Sequence, residues 1–151
     1  MKALSLAFAI TALSVGQPTS GAIAGSWTAK FDGRTFIKLE IKTIDGAISG
    51  GISLGNFEVD RQGAVKRAEA APPELKPIFG VTLKGTTMRF AIKDVNETDQ
   101  FELRLLENDE ADLRMILNDE DRKELAASGV PVPQPIRLKK ARIPGQAEIA
   151  Q

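Results

Sequence analysis

From Ser26 onward the chain repeats one pattern: short runs in which apolar and polar residues alternate, cut by turn dipeptides. Ser26–Phe31 is the first run. Asp32-Gly33 follows, a pair suited to a two-residue hairpin turn that needs positive φ. In Arg34–Thr43, the clearest run, Thr35, Ile37, Leu39 and Ile41 take one face and Lys38, Glu40 and Lys42 the other, the period of a half-buried strand. Asp45-Gly46 predicts a second tight turn. Ala47–Leu54 returns with Ile48, Ile52 and Leu54 on one face and Ser49, Gly51 and Ser53 on the other. Gly50-Gly51 inside it predicts a bulge or sharp bend.

Phe57–Val59 and Ala64–Arg67 are expected to pair across Asp60–Gly63. Ala68–Lys76 contains Pro72-Pro73, cannot be a central strand, and is read as an extended loop. Ile78–Lys84 and Thr87–Lys93 flank Gly85-Thr86, with Met88, Phe90 and Ile92 on a shared face. Phe101, Leu103 and Leu105 alternate with Glu102 and Arg104. Leu113, Met115 and Leu117 alternate with Asp112, Arg114 and Ile116. The one predicted helix is Asp119–Ser128, capped by Asn118 or Asp119, acidic in its first turn and stopped by Gly129. Pro131, Pro133 and Pro135 make a stiff connector, and Ile136–Ala141 is a last strand.

The pattern therefore predicts an all-β fold: an antiparallel up-and-down barrel of eight or nine strands with one short C-terminal helix. A meander of that many strands closes on itself because closure removes exposed edges. At eight strands the interior is filled by side chains or holds one small ligand.

The first 24 residues break the pattern. Met1-Lys2 is a short basic start, Ala3–Val15 is apolar and uncharged, and Ala22-Ile23-Ala24 places small residues where a signal peptidase reads. The run is too short to span a bilayer comfortably. Residues 1–24 are read as a signal peptide, 25–142 as the barrel domain and 143–151 as a disordered tail. The mature protein is expected to start at Gly25, or at Ile23 if the peptidase reads Ser20-Gly21-Ala22, and to be periplasmic or secreted.

Composition narrows the chemistry. The chain carries 20 basic and 20 acidic residues, so it has no electrostatic footprint for nucleic acid or anionic membranes. No segment after the leader approaches membrane-spanning length. There is no Cys, His or Tyr, which removes disulfides, thiol nucleophiles, thiolate metal sites and the commonest general base. Glu107–Glu124 and Asp94–Asp99 are rich in carboxylates but lack a calcium-loop pattern; they read as solvated turns and a favourable helix start. Carboxylate pairs are as numerous as 20 acids make them by chance. No Ser-x-x-Lys motif occurs around Ser49 or Ser53, and Gly50-Gly51 is not followed by a phosphate-loop Lys. No enzyme, cofactor or metal is expected.

Gly25-Ser26-Trp27, the turn at Asp32-Gly33, Phe36-Ile37 and Asp45–Gly50 together resemble the opening of calycin-like barrels, the avidin and lipocalin types. The resemblance covers about the first 30 mature residues. It implies that the Trp27 indole plugs one end of a barrel. Avidin-like biotin sites use further tryptophans, and Trp27 is the only one here, so biotin binding is not implied. The chain also resembles small exported bacterial barrel domains of unassigned activity. The expected function is non-enzymatic binding of a small apolar ligand in the barrel, against Trp27, Met88, Phe90, Phe101 and Met115. The alternative is a solid barrel that works by protein contact, as an inhibitor or envelope assembly factor, with Ala68–Lys76 as a projecting loop.

Overall fold

The computed structural model describes residues 20–141. Eight strands close into one antiparallel barrel: β1 (Gly25–Phe31), β2 (Arg34–Ile44), β3 (Ala47–Leu54), β6 (Lys76–Lys84), β7 (Thr87–Lys93), β8 (Thr98–Leu105), β9 (Glu110–Ile116) and β10 (Ile136–Lys140). Between β3 and β6 the chain leaves the wall to form a separate two-stranded hairpin, β4 (Phe57–Val59) and β5 (Val65–Ala68). The order is a meander closed by β1 against β10. The single helix beyond the first strand, α2, spans Asp119–Ala127. The eight-stranded architecture and the short helix are as the alternation predicts.

Both expected hairpin turns have positive φ at both central residues: Asp32 (54°) and Gly33 (76°), Asp45 (52°) and Gly46 (81°). Their twist matches that of the flanking strands. Gly50 stands where a Cβ would overlap the Glu40 carbonyl oxygen of the paired strand. A side chain there would force β2 and β3 apart, so the glycine is what lets the sheet curl.

The core is the barrel interior. Ile37, Leu39, Ile52, Met88, Phe90, Phe101, Leu103, Leu113 and Leu138 are all buried within it. The alternation is broken at Phe36, the extra residue of a bulge where β1 and β2 shift register between Ala29 and Lys30. The bulge turns Phe36 into the apolar side as well, where its ring meets Phe57 edge-on at 5.7 Å. Ser53, expected on the solvent face, is also buried. The 69–75 segment crosses over it, and the Ser53 hydroxyl donates to the Pro72 carbonyl. That segment is held down further by Glu69 N to Asn56 O at 2.8 Å and Ala71 N to Thr35 O at 2.9 Å. It is strapped to the wall and does not project as expected, and Lys76 already belongs to β6.

The outer wall carries the expected polar face as a ladder of opposite charges. Glu102 on β8 stands directly between Arg89 on β7 and Arg114 on β9, at 3.0 Å and 2.8 Å. In the next row Asp112 stands between Arg104 and Arg137, at 3.8 Å and 2.7 Å. Opposite charges facing each other across strands support the register.

One end of the barrel is sealed. A short helix, α1 (Ser20–Ile23), lies there beside the tight turns at 45–46, 85–86 and 106–109. Ile23 has no exposed surface, Trp27 is 2% exposed, and the indole Nε1–H donates to the Ile23 carbonyl at 2.9 Å. The Lys140 ammonium sits 5.6 Å over the indole and also donates to Ala22 O. Thus α1, assigned from sequence to the leader, packs into the barrel. The rest of the expected leader, 1–19, the last residue of the expected barrel domain, Arg142, and the expected tail, 143–151, lie outside the described residues.

Candidate functional site

The longer connections gather at the opposite end. The β4–β5 hairpin and the 130–135 connector meet over this mouth and are fastened by Gln134, whose backbone N–H donates to Gly63 O at 2.9 Å and whose side chain donates to Gln62 O at 2.6 Å. Gly63, with φ of 86°, lies so close to the Val132 carbonyl that a Cβ would overlap it. Positive φ and close approach together make this a glycine position. The hairpin tip is itself ordered by Asp60, whose Oδ1 accepts from the N–H groups of Gln62 and Ala64.

Beneath that roof is an apolar cavity of about 60 Å³. Ile37, Phe101 and Leu113 form its floor, and Phe57, Leu117, Val132, Pro133 and Ile136 close its sides. Phe101 stacks on Phe90 at 5.5 Å between centroids, which fixes the floor to the core. An apolar cavity that takes a molecule as small as benzene measures about 150 Å³. This one has room for the tip of a side chain.

Next to the cavity, and sharing Met115, Leu117 and Pro133 with it, runs a groove of about 350 Å³ between β8, β9 and α2. Its apolar bed also includes Leu125 and Val130, and its rim carries Glu97, Asp99, Asp121 and Glu124. Helix α2 supplies Asp121, Glu124 and Leu125, and its C-cap Ser128 continues the same face one turn on. The helix is set by a reciprocal cap: Asn118 Oδ1 accepts from Asp121 N at 2.7 Å, and Asp121 Oδ2 accepts from Asn118 N at 3.2 Å. Asp99 has its pKa raised above the ordinary carboxylate value, first by burial and then by the negative charges of Asp94 and Asp121.

The five residues expected to bind a ligand divide among three places. Phe101 and Met115 line the mouth, Met115 with 43% of its surface exposed. Met88 and Phe90 are packed in the solid core, and Trp27 plugs the sealed end. Alternation identified the inward face but not the depth at which each residue lies. Phe57, Leu125, Val130 and Val132 escaped the sequence reading because they sit on a short hairpin, a polar helix and a proline connector. The turn glycine at Gly63 was visible, but its close partner lies about 70 positions away in the chain.

No protein-family model, curated protein or solved structure matches this chain. The observations that remain are the closed eight-stranded antiparallel barrel, compatible with a calycin-like fold, and its two differently built ends. Among the described residues no three carboxylates converge as a set of metal ligands, and no helix is long and apolar enough to cross a membrane.

Proposed function

We propose that this protein is an exported, non-enzymatic barrel of the lipocalin and avidin type that works by contact at its mouth. The observation that carries this reading is the contrast between interior and rim. The apolar cavity that opens onto the core at the mouth is only about 60 Å³, whereas pockets that enclose small-molecule ligands measure about 300–1,000 Å³; the larger hollows at this end, of about 350 and 440 Å³, are open to solvent at the surface. Around the same mouth Met115, Val130 and Val132 are 43%, 42% and 50% exposed. Exposed apolar residues gathered at one place, rimmed by polar ones, mark interaction surfaces. The lipocalin and avidin likeness is supported by Trp27 at the sealed end of the barrel. Export is supported by Lys2 and the apolar run Ala3–Val15. The absence of His and Cys from the chain supports a non-catalytic role.

Enclosure of a small apolar ligand is the competing reading, favoured by the apolar lining of the mouth cavity. Titration with a fluorescent long-chain fatty-acid analogue, followed by amide NMR shifts, separates the two. Contact at the mouth gives no saturable uptake. Saturable uptake with shifts at Met88, Phe90 and Trp27 establishes a container instead. Two variants sharpen the comparison. Phe90→Ala is expected to cost about 3–5 kcal/mol of stability, since a core aromatic is lost and a cavity left. Met115→Ser is expected to change stability by less than about 0.5 kcal/mol, as surface substitutions do, while weakening any partner held at the mouth.

A further inference from the structure

The groove beside the mouth has a composition that specifies its occupant more closely. Its bed is apolar (Met115, Leu117, Leu125, Val130, Pro133) and its charged rim residues are all carboxylates: Glu97, Asp99, Asp121 and Glu124. No Lys or Arg lines it. Of the basic side chains nearby, Lys76 pairs with Asp94 at 3.4 Å and Arg114 with Glu102 at 2.8 Å, while Arg122 and Lys123, exposed on α2, do not border the groove. Elsewhere on the wall the barrel balances its charges in the Arg89–Glu102–Arg114 and Arg104–Asp112–Arg137 rows. At the groove it does not. Asp99 lies near enough to Asp121 to feel its negative charge, and a cation placed at the rim offsets that repulsion.

We infer that the groove docks an amphipathic segment of a partner protein, one that lays apolar side chains along Met115, Leu117, Leu125 and Val130 and places Lys or Arg side chains against the carboxylate rim. This rests on the reading of the mouth as a contact site and adds the chemistry of the partner. An acidic or a purely neutral apolar segment would leave the rim unpaired. Charge complementarity of this kind selects partners and speeds their encounter more than it adds affinity. The small mouth cavity alongside, reached past Met115 and Leu117, is of a size to take one side-chain tip as an anchor.

The test uses three labelled peptides of equal length: Leu with Lys, Leu with Ser, and Leu with Glu. Fluorescence anisotropy measures their binding to the folded protein. The Leu/Lys peptide is expected to bind about tenfold more tightly than the Leu/Ser peptide, the effect of a few partly exposed ion pairs. The Leu/Glu peptide is expected to bind least. Added salt should erase the Leu/Lys advantage. The variant pair Glu97→Lys with Glu124→Lys leaves the Asn118–Asp121 cap intact, both side chains being exposed. It leaves two carboxylates and two ammonium groups on the rim, and should erase the preference for the Leu/Lys peptide with the circular dichroism unchanged. Equal binding of all three peptides overturns the basic-partner inference and leaves the mouth-contact reading standing. Binding of none overturns both. A Leu/Lys advantage that survives the double variant places binding elsewhere and overturns the inference.

Discussion

If α1 is part of the barrel, its removal must be felt at Trp27. Ile23 is completely buried, and its carbonyl is the acceptor for the indole N–H at 2.9 Å. Ile23→Ala removes buried methyl groups and leaves a cavity, a loss of about 2–5 kcal/mol. Trp27→Ala costs about 3–5 kcal/mol on the same grounds. The two side chains share one contact, so the losses should not add; a coupling of about 0.5–3 kcal/mol is expected in the double variant. Starting the chain at Gly25 instead of Ser20 deletes Ile23 and leaves the buried indole N–H without its acceptor, a further cost of about 1–3 kcal/mol. The ordering entropy released with the five deleted residues opposes that loss, so the environment of the indole itself is the sharper readout of the deletion.

Urea unfolding of the two chain lengths measures the balance of the two effects. Trp27 is the only tryptophan, so its emission in the folded state reports the same event without interference. The shorter chain should emit at longer wavelength because water reaches the indole. Identical unfolding midpoints together with identical Trp27 emission would refute the packing of α1 into the barrel. The same contact bears on processing. Cleavage after Ala24 discards Ile23, whereas cleavage after Ala22 keeps it with its carbonyl in place. N-terminal sequencing of exported protein is therefore expected to read from Ile23, and a start at Gly25 would count against the role given to α1.

Two further outcomes test the wall. Glu102→Gln should cost about 1 kcal/mol at neutral pH, reduced from the usual value of a charged hydrogen bond because both arginines are more than half exposed. Burial opposes ionisation of Glu102, but Arg89 and Arg114 outweigh it and hold its pKa below the ordinary value. A depressed folded-state pKa gives stability that is present above the unfolded value and lost as pH falls through the folded one. The gap between wild type and variant, measured by urea unfolding from neutral to acid, should accordingly close on acidification; a gap that widens there would reverse the assigned sign. Gly50→Ala should lower stability by roughly 2–4 kcal/mol, since its Cβ meets the Glu40 carbonyl and its φ of 158° is extended in a way few side chains accept. A midpoint within error of wild type would mean that β2 and β3 separate there at little cost.

How much of this was readable in the chain follows from the range of the interactions involved. The strands were legible because alternation is a local record of which side faces the core: Lys38, Glu40 and Lys42 against Leu39 and Ile41 need no knowledge of the neighbouring strand. The turns were legible because Asp-Gly pairs state their own φ. The cap of α2 was legible because Asn118 and Asp121 are three residues apart. The places where alternation misled are those where a distant segment lies across the wall. Ser53 is polar and spaced as an outward residue, yet the strap at Pro72 buries it. Met115 is apolar and spaced as an inward residue, yet it lies at the strand end where the barrel opens.

The same logic explains why the candidate site was read only in part. Phe101 and Met115 were identified by period, but the roof that makes a cavity above them comes from Gln134 bonding to Gln62 and Gly63, segments with no sequence signal for each other. The carboxylates of the groove looked like solvated turns and a helix start, and Asp121 does serve the helix cap. Only the fold shows that Glu97 from a loop, Asp99 at the start of β8, and Asp121 and Glu124 from one helix face border the same apolar bed. A charge pattern that is unremarkable along the chain becomes a selective surface when the carboxylates of two segments border one bed and the basic residues of the same helix, Arg122 and Lys123, do not. That asymmetry, against a wall where the Arg89–Glu102–Arg114 and Arg104–Asp112–Arg137 rows are internally paired, is the physical reason to look for the partner at the mouth and to expect it to be basic.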